Sequence, residues 1–265
     1  MNENHLRYVY AVTRSFDSVL PDGVRGLDGE PPRFLHHGDL VAVVSPVPAD
    51  DFNEIPLRAH LEDLDWLTTT ARTHQAVVSA LTTVTCPLPL RLATVCRDDS
   101  GVRRLLEDGH DRFVQTLERL DGRVEWGVKV YADSLPGADA QPEPEGEPAP
   151  VLKTGAGSGR DYLRRRLQER NTRETGWERA DEVSRRLHAE LSLRAEADTL
   201  HRPQQADLPG ASGHNVLNAA YLVARESSEA FVEELDRLRS QTPGVRVELT
   251  GPWAPYSFAG TPEDR

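Results

Sequence analysis

Lysine is almost absent from this 265-residue chain. Lys129 and Lys153 are its two lysines, and arginine supplies the rest of the 31 basic residues. The planar arginine fork pairs bidentately with carboxylates, so the basic residues suit ion pairing. Positive charge is also outweighed: the formal net charge is −12 at pH 7, which argues against a body that seeks nucleic acid as a whole. Cysteine is equally scarce. Cys86 and Cys96 form no CxxC motif, and no secretory signal opens the chain, so the expectation is a cytoplasmic protein with reduced thiols. No run approaches the roughly 20 apolar residues needed to span a bilayer, so no membrane partner is expected.

Chemical motifs are missing as well. No HExxH or Cys/His cluster occurs, and the adjacent His36 and His37 would point to opposite faces of a strand, so no metal is expected. Gly155-Ala156-Gly157-Ser158-Gly159 lacks the Walker lysine and its spacing, which leaves a flexible approach to a helix and no cofactor. The acid pairs Asp50-Asp51 and Asp98-Asp99 each precede a helical segment, where capping is the expected role. There is no Gly-x-Ser-x-Gly elbow, and no histidine lies near either cysteine in sequence. The reading is a protein that is not an enzyme.

What is present is a regular alternation of strands and helices. Leu6–Thr13 (LRYVYAVT) is rich in β-branched and aromatic residues and reads as a strand. Arg33–His36 and Leu40–Ser45, joined through Gly38, read as a hairpin that Pro46 and Pro48 end. Leu57, Leu61, Leu64, Ala71, Val78 and Leu81 predict one helix over 56–82. Pro87–Cys96 (PLPLRLATVC) reads as extended. Val102, Leu105, Leu106, Phe113, Leu117 and Leu120 predict a second helix over 100–120. Val124–Ala132 is the next strand. Residues 138–150 are acidic, proline-rich and poor in apolar groups, and are expected to stay unpacked.

A long helix is expected from Ser158 to about Asp198, followed by a weak edge strand at 200–206 that Pro203 interrupts. Val216–Ala224 reads as a strand buried on both faces. Ser227 stands where a helix N-cap belongs, and Phe231, Leu235 and Leu238 form the apolar face of that helix. Val245, Val247 and Leu249 alternate with polar residues as a half-buried strand. In Gly251–Phe258 (GPWAPYSF), one glycine and two prolines oppose regular structure while three aromatics call for contact.

Several of these segments resemble one family. The opening LRYVYAVT is similar to a YVYG-type strand, with Ala11 where glycine is common. PLPLRLATVC resembles a PLRFGTVF-like strand, with Leu92-Ala93 where Phe-Gly is common. EWGVKVY (Glu125–Tyr131) is the most specific match. RDYLRRR (Arg160–Arg166) resembles a RAYLLRRR-like helix start, and GPWAPYSF resembles a closing GPWPPYSF-like motif, with Ala254 replacing a proline. Together, in this order, they mark a resemblance to the gas vesicle GvpF/GvpL family.

The resemblance implies an accessory or minor component of gas vesicles, present in the cytoplasm and associated with the vesicles. It implies binding to the small hydrophobic shell protein GvpA, help with assembly, and contact with other gas vesicle accessory proteins. The expected partner-binding residues are Trp253, Tyr256 and Phe258 in the tail, and Arg164, Arg165 and Arg166 for salt bridges. The expected fold class is α+β with two domains. Residues 1–122 form an N-terminal α/β domain. Residues 123–250, in the order β-α-β-β-α-β, form a ferredoxin-like C-terminal domain with a long helix. Residues 251–265 form an aromatic tail.

Two readings from other classes stand beside this one. The arginine run could make the protein a nucleic-acid-binding regulator. Interleaved Asp161, Glu169, Glu174 and Glu178 largely cancel its field, however, so a solvated helix face is favoured and no nucleic acid is expected. A ferredoxin-like domain could also be a small-ligand sensor, since such a fold hosts many functions.

Overall fold

Strand β1, His5–Arg14, runs through the centre of the first sheet, with every residue from Tyr8 to Thr13 buried. The computed structural model describes residues 5–132, 158–203, 214–242 and 244–260. Beside β1 lies the hairpin of β2, Arg33–His37, and β3, Leu40–Pro48. The turn between them places Gly38 at φ +62°, a conformation glycine adopts without steric cost. β3 pairs antiparallel with β1, and a bulge lies between Val9 and Ala11. The other edge of β1 pairs with two short strands, β4 (Leu88–Pro89) and β5 (Val95–Cys96). The expected hairpin is present, but Pro46 does not end it. β2 reaches only to the level of Val44, so beyond that point β3 is an edge on that side, where proline breaks no ladder.

The single helix expected over 56–82 is three helices. α1 is Ala49–Phe52, α2 is Glu54–His60 and α3 is Leu64–Leu81. The interruption is chemical. Asp63 leaves helical geometry, and its carboxylate accepts from the backbone N–H of Asp65 at 3.0 Å and of Trp66 at 3.2 Å. It thereby satisfies two of the orphan donors that start α3. His60 and His74 therefore lie on different helices. The buried face of α3 is Thr70, His74, Val77, Val78 and Leu81, whereas Leu61 and Leu64 point outward.

The helix expected over 100–120 is likewise two, α4 (Asp99–Asp108) and α5 (His110–Leu120). Gly109 separates them at a close approach: a Cβ there would lie 2.6 Å from the Phe113 ring. Asp98 caps α4 through the N–H of Gly101 at 2.8 Å, in the expected capping role. Its neighbour Asp99 instead pairs with Arg7 of β1 at 2.6 Å.

The second sheet contains β6 (Arg123–Ala132), β7 (Ala197–Leu200), β8 (His214–Ala224) and β9 (Val245–Trp253), in the order β7-β8-β6-β9. β6 thus lies between β8 and β9. The long helix α6 runs from Ser158 to Ser192, roughly 50 Å at about 1.5 Å per residue. It ends before Asp198, which belongs to β7. β7 is indeed an edge strand, but it lies at 197–200 and stops short of Pro203. α7, Ser228–Ser240, buries Phe231, Leu235 and Leu238 as its periodicity predicts. Ser227 occupies the cap position without making a side-chain cap bond, because it closes a 3-10 turn, Arg225–Ser227.

By internal contacts the chain divides into two units. One comprises Met1–Glu125, Leu222–Arg225 and Gly251–Arg265, and the other Trp126–Tyr221 and Glu226–Thr250. The first unit has a core of Tyr8, Tyr10, Ala11, Val43, Val47, Phe52, Val77, Val78 and Leu81. In the second, Ala180, Leu187 and Leu191 of α6 are buried. His188 ties α6 to β8, its Nδ1 standing 2.8 Å from the Tyr221 hydroxyl. Glu234 on α7, itself buried, pairs with Arg194 at 3.2 Å. The chain is thus a mixed α+β protein with two sheets.

Candidate partner-binding surface

Two prolines and a glycine predict an irregular tail after Thr250, yet β9 continues through Gly251 and a cis Gly251–Pro252 bond to Trp253. A 3-10 turn, Tyr256–Phe258, follows. These few residues divide sharply by burial. Ala254 and Phe258 are buried, and Tyr256 packs against the first unit's core. Trp253 keeps 41% of its surface exposed. The structure therefore turns two of the three predicted aromatics inward and leaves one at the surface.

Polar contacts hold the inward pair in place. The carboxylate of Glu125 accepts from the backbone N–H of Ser257 at 2.8 Å and from its hydroxyl at 2.7 Å. Arg119 donates to the carbonyls of Phe258 at 2.6 Å and Gly260 at 3.3 Å. Burial pushes the Glu125 carboxyl above its ordinary range, and the two Ser257 bonds oppose that shift. The Tyr256 ring lies 6.0 Å from the His74 imidazole, and its hydroxyl is buried without a hydrogen-bond partner. Burial raises its pKa.

His74 is the polar centre of this cluster. Its Nδ1 is 2.9 Å from the Tyr8 hydroxyl, which also accepts the N–H of Ala93 at 3.2 Å. The hydroxyl and Nδ1 share one hydrogen bond, whose direction follows the His74 tautomer. Nε2 is buried and has no partner. Desolvation lowers the His74 pKa to about 4. Periodicity did not single out His74, Tyr8 or Glu125 as a set, because they lie on three elements far apart in sequence. Two tyrosines on one face of β1 and a histidine within a helical apolar stripe were the only hints.

The arginine run is partly visible. Arg164 is exposed on α6, while the side chains of Arg165 and Arg166 lie outside the described residues, as does the acidic stretch 138–150. Neither cysteine is poised for nucleophilic chemistry. Burial pushes the Cys86 thiol up to about 11, and its Sγ donates to the Leu120 carbonyl at 3.2 Å. Burial also raises the Cys96 thiol. Among the described residues, no group of three or more His, Cys, Asp or Glu side chains could hold a metal ion, and no helix is long and apolar enough to cross a membrane. The arrangement is one of a rigid support carrying a partly exposed tryptophan.

Comparison with known proteins gives a consistent picture. The family model described as "Gas vesicle synthesis protein GvpL/GvpF" matches residues 6–260. The chain is 67% identical over 264 residues to Gas vesicle protein L of Streptomyces sp. (strain CB03234), covering 100% of this chain and 96% of that one. It is 29% identical over 257 residues to Gas vesicle protein F of the same strain, covering 95% and 98%. The crystal structure of GvpF from Anabaena sp. PCC7120 matches with a TM-score of 0.66 at 18% identity, covering 97% of each chain. That of GvpF from Microcystis aeruginosa matches with a TM-score of 0.63 at 18% identity, covering 97% and 99%. These two structures share the fold.

Proposed function

The chain belongs to the gas vesicle GvpL/GvpF family, and from that premise we propose that it binds the small hydrophobic shell protein GvpA and assists gas vesicle assembly. In this reading it is an interaction protein without turnover. It works in the cytoplasm in association with the vesicles, alongside other gas vesicle accessory proteins. Residues 123–250 make up a ferredoxin-like domain, which the β-α-β-β-α-β order and the strand order β7-β8-β6-β9 support. Residues 1–122 make up the N-terminal α/β domain, and residues after 250 its aromatic tail.

The observation that carries the reading is Trp253. A large aromatic group stands at the surface, 41% exposed, on a segment whose neighbours Ala254 and Phe258 are buried. A ring held by a rigid backbone loses little entropy on binding, and tryptophan is enriched among residues that dominate interface energies. Tyr256 and Phe258 serve binding by holding that segment in place. Arg164, Arg165 and Arg166 supply cations for carboxylates of the client.

The test is co-expression of the tagged chain with the shell protein of its own gene cluster. The reading expects shell protein to become soluble and to co-elute, and Trp253→Ala to lower the co-eluting amount about tenfold. If shell protein stays insoluble beside the unmodified chain, direct binding fails. If Trp253→Ala retains as much as the parent, the tryptophan has no part in it.

A further inference from the structure

Helix α3 carries apolar residues beyond the face that it turns to the core. The inner face carries Val77, Val78 and Leu81. Leu64, Leu67 and Ala71 follow one another at i, i+3 and i+7 on a second face, and Leu64 is 76% exposed. Exposed large apolar groups are concentrated in this part of the chain, where Ile55 and Leu61 are also exposed. A shallow hollow of about 650 Å³ opens along this second face, lined by Leu67, Thr68, Ala71, Arg72, Gln75 and Ala76. Exposed apolar residues beside a hollow mark an interaction site more often than an isolated exposed leucine does.

The charge at the hollow is of one sign. Arg72 is its only charged lining residue. No ion pair or hydrogen bond engages the Arg72 guanidinium among the described residues, although carboxylates outnumber bases and the net charge is −12. A cation left unpaired beside an apolar groove in an acidic protein is complementary to a carboxylate brought by a partner. The groove also restricts the partner's backbone. Every lining residue belongs to α3, whose own N–H and C=O groups are engaged within the helix. The surface therefore offers no ladder to an added strand, whereas a helix, whose backbone groups are bonded within itself, fits it without one. Thr68, Ala71 and Ala76 are small enough to let a second helix axis approach to roughly 8–10 Å.

We propose that this face of α3 docks an apolar α-helix of the client, with an Asp or Glu side chain of that helix paired to Arg72. The seam from Leu64 to Ala76 is roughly 18 Å long at about 1.5 Å per residue, so it takes a little over three turns. The proposal rests on the reading of the chain as a binder of a small hydrophobic shell protein. It adds a second contact region, with a defined partner conformation, to the one at Trp253.

Two substitutions test it in the full chain co-expressed with the shell protein. Ala71→Arg fills the hollow, and Arg72→Glu reverses its charge. The proposal expects each to cut co-eluting shell protein about tenfold while the melting temperature stays at the parent value. It also expects an Asp→Arg or Glu→Arg change within one apolar helix of the shell protein to restore binding to Arg72→Glu. Should Ala71→Arg fold poorly, Arg72→Glu decides alone, since among the described residues Arg72 has no ion pair or hydrogen bond to lose. If the unmodified chain holds shell protein in solution and both variants hold it equally well, the α3 seam is wrong and the wider reading stands. If the unmodified chain holds none, both fail. If Ala71→Arg changes the mass of the chain by itself in sedimentation, the occupant is a second copy and the client-helix assignment is overturned.

Discussion

Glu125 and Ser257 meet across 132 residues of sequence through two hydrogen bonds, 2.8 Å from the serine N–H and 2.7 Å from its hydroxyl. The carboxylate is buried, so it is stabilised there only because both donors are supplied. Its pKa lies above the ordinary 4.5. The folded state then holds its proton to higher pH than the unfolded chain does, so this group makes stability fall as pH rises above about 4.5, and the loss levels off once the folded carboxyl has ionised. Glu125→Gln keeps an acceptor for the N–H and removes that pH dependence. Glu125→Ala strands the serine donors and costs about 2–3 kcal/mol. Urea unfolding of both variants at pH 5 and pH 8 checks this. Equal stabilities for Glu125→Ala and the parent would show that the contact contributes nothing.

His74 acts in the opposite direction. Its folded-state pKa of about 4 lies below the ordinary 6.5. Between those values the unfolded chain takes up a proton that the folded chain refuses. Stability is therefore full above about pH 6.5 and declines as pH falls toward 4. At about 1.4 kcal/mol per pH unit, the decline totals no more than about 3.5 kcal/mol. His74→Gln keeps both a donor and an acceptor for the Tyr8 hydroxyl but does not titrate in this range. Its unfolding midpoint should change less between pH 7 and pH 4.5 than that of the parent. A parallel fall in both proteins would place the acid sensitivity elsewhere.

Ala93 sits at φ +63°, in the left-handed region that favours glycine, and its N–H is held by the Tyr8 hydroxyl. The related sequences that the PLPLRLATVC segment resembles commonly have glycine at this place. The left-handed conformation costs a non-glycine residue roughly 1–2 kcal/mol, and glycine's extra freedom when unfolded returns roughly 0.5–1 of that. Ala93→Gly should therefore stabilise the protein by about 0.5 kcal/mol. A clear drop in melting temperature would mean that the Ala93 methyl packs better than its backbone geometry suggests.

Much of the framework was legible because it depends on local pattern. The β-branched run of β1, the Gly38 hairpin and the Phe231, Leu235, Leu238 face of α7 each follow from spacing alone. The helix breaks at Asp63 and Gly109 were hidden by the same reasoning, since a periodic stripe continues through both. One depends on a carboxylate folding back to cap, the other on space taken by Phe113. His74 was hidden because a histidine inside an apolar stripe reads as an interruption until Tyr8, 66 residues earlier, is seen to meet it. In the tail, sequence identified the aromatics but not their division, because Phe258 and Trp253 have the same local chemistry and differ only in what surrounds them.

That division decides how the tail can be tested. Phe258 is completely buried and its carbonyl is held by Arg119. Phe258→Ala removes a full core side chain and should cost about 3–5 kcal/mol. A variant with all three tail aromatics replaced would thus lose client binding by unfolding, whatever the tail contacts. Trp253→Ala exchanges a half-exposed ring and should cost about 1 kcal/mol or less, leaving a folded protein at 25 °C. Thermal unfolding of the two single variants separates the cases. A large loss for Phe258→Ala with a small one for Trp253→Ala confirms that only the tryptophan reports on binding. Similar losses for both would mean that Trp253 belongs to the fold as much as Phe258 does, and that the candidate surface must be sought along α3.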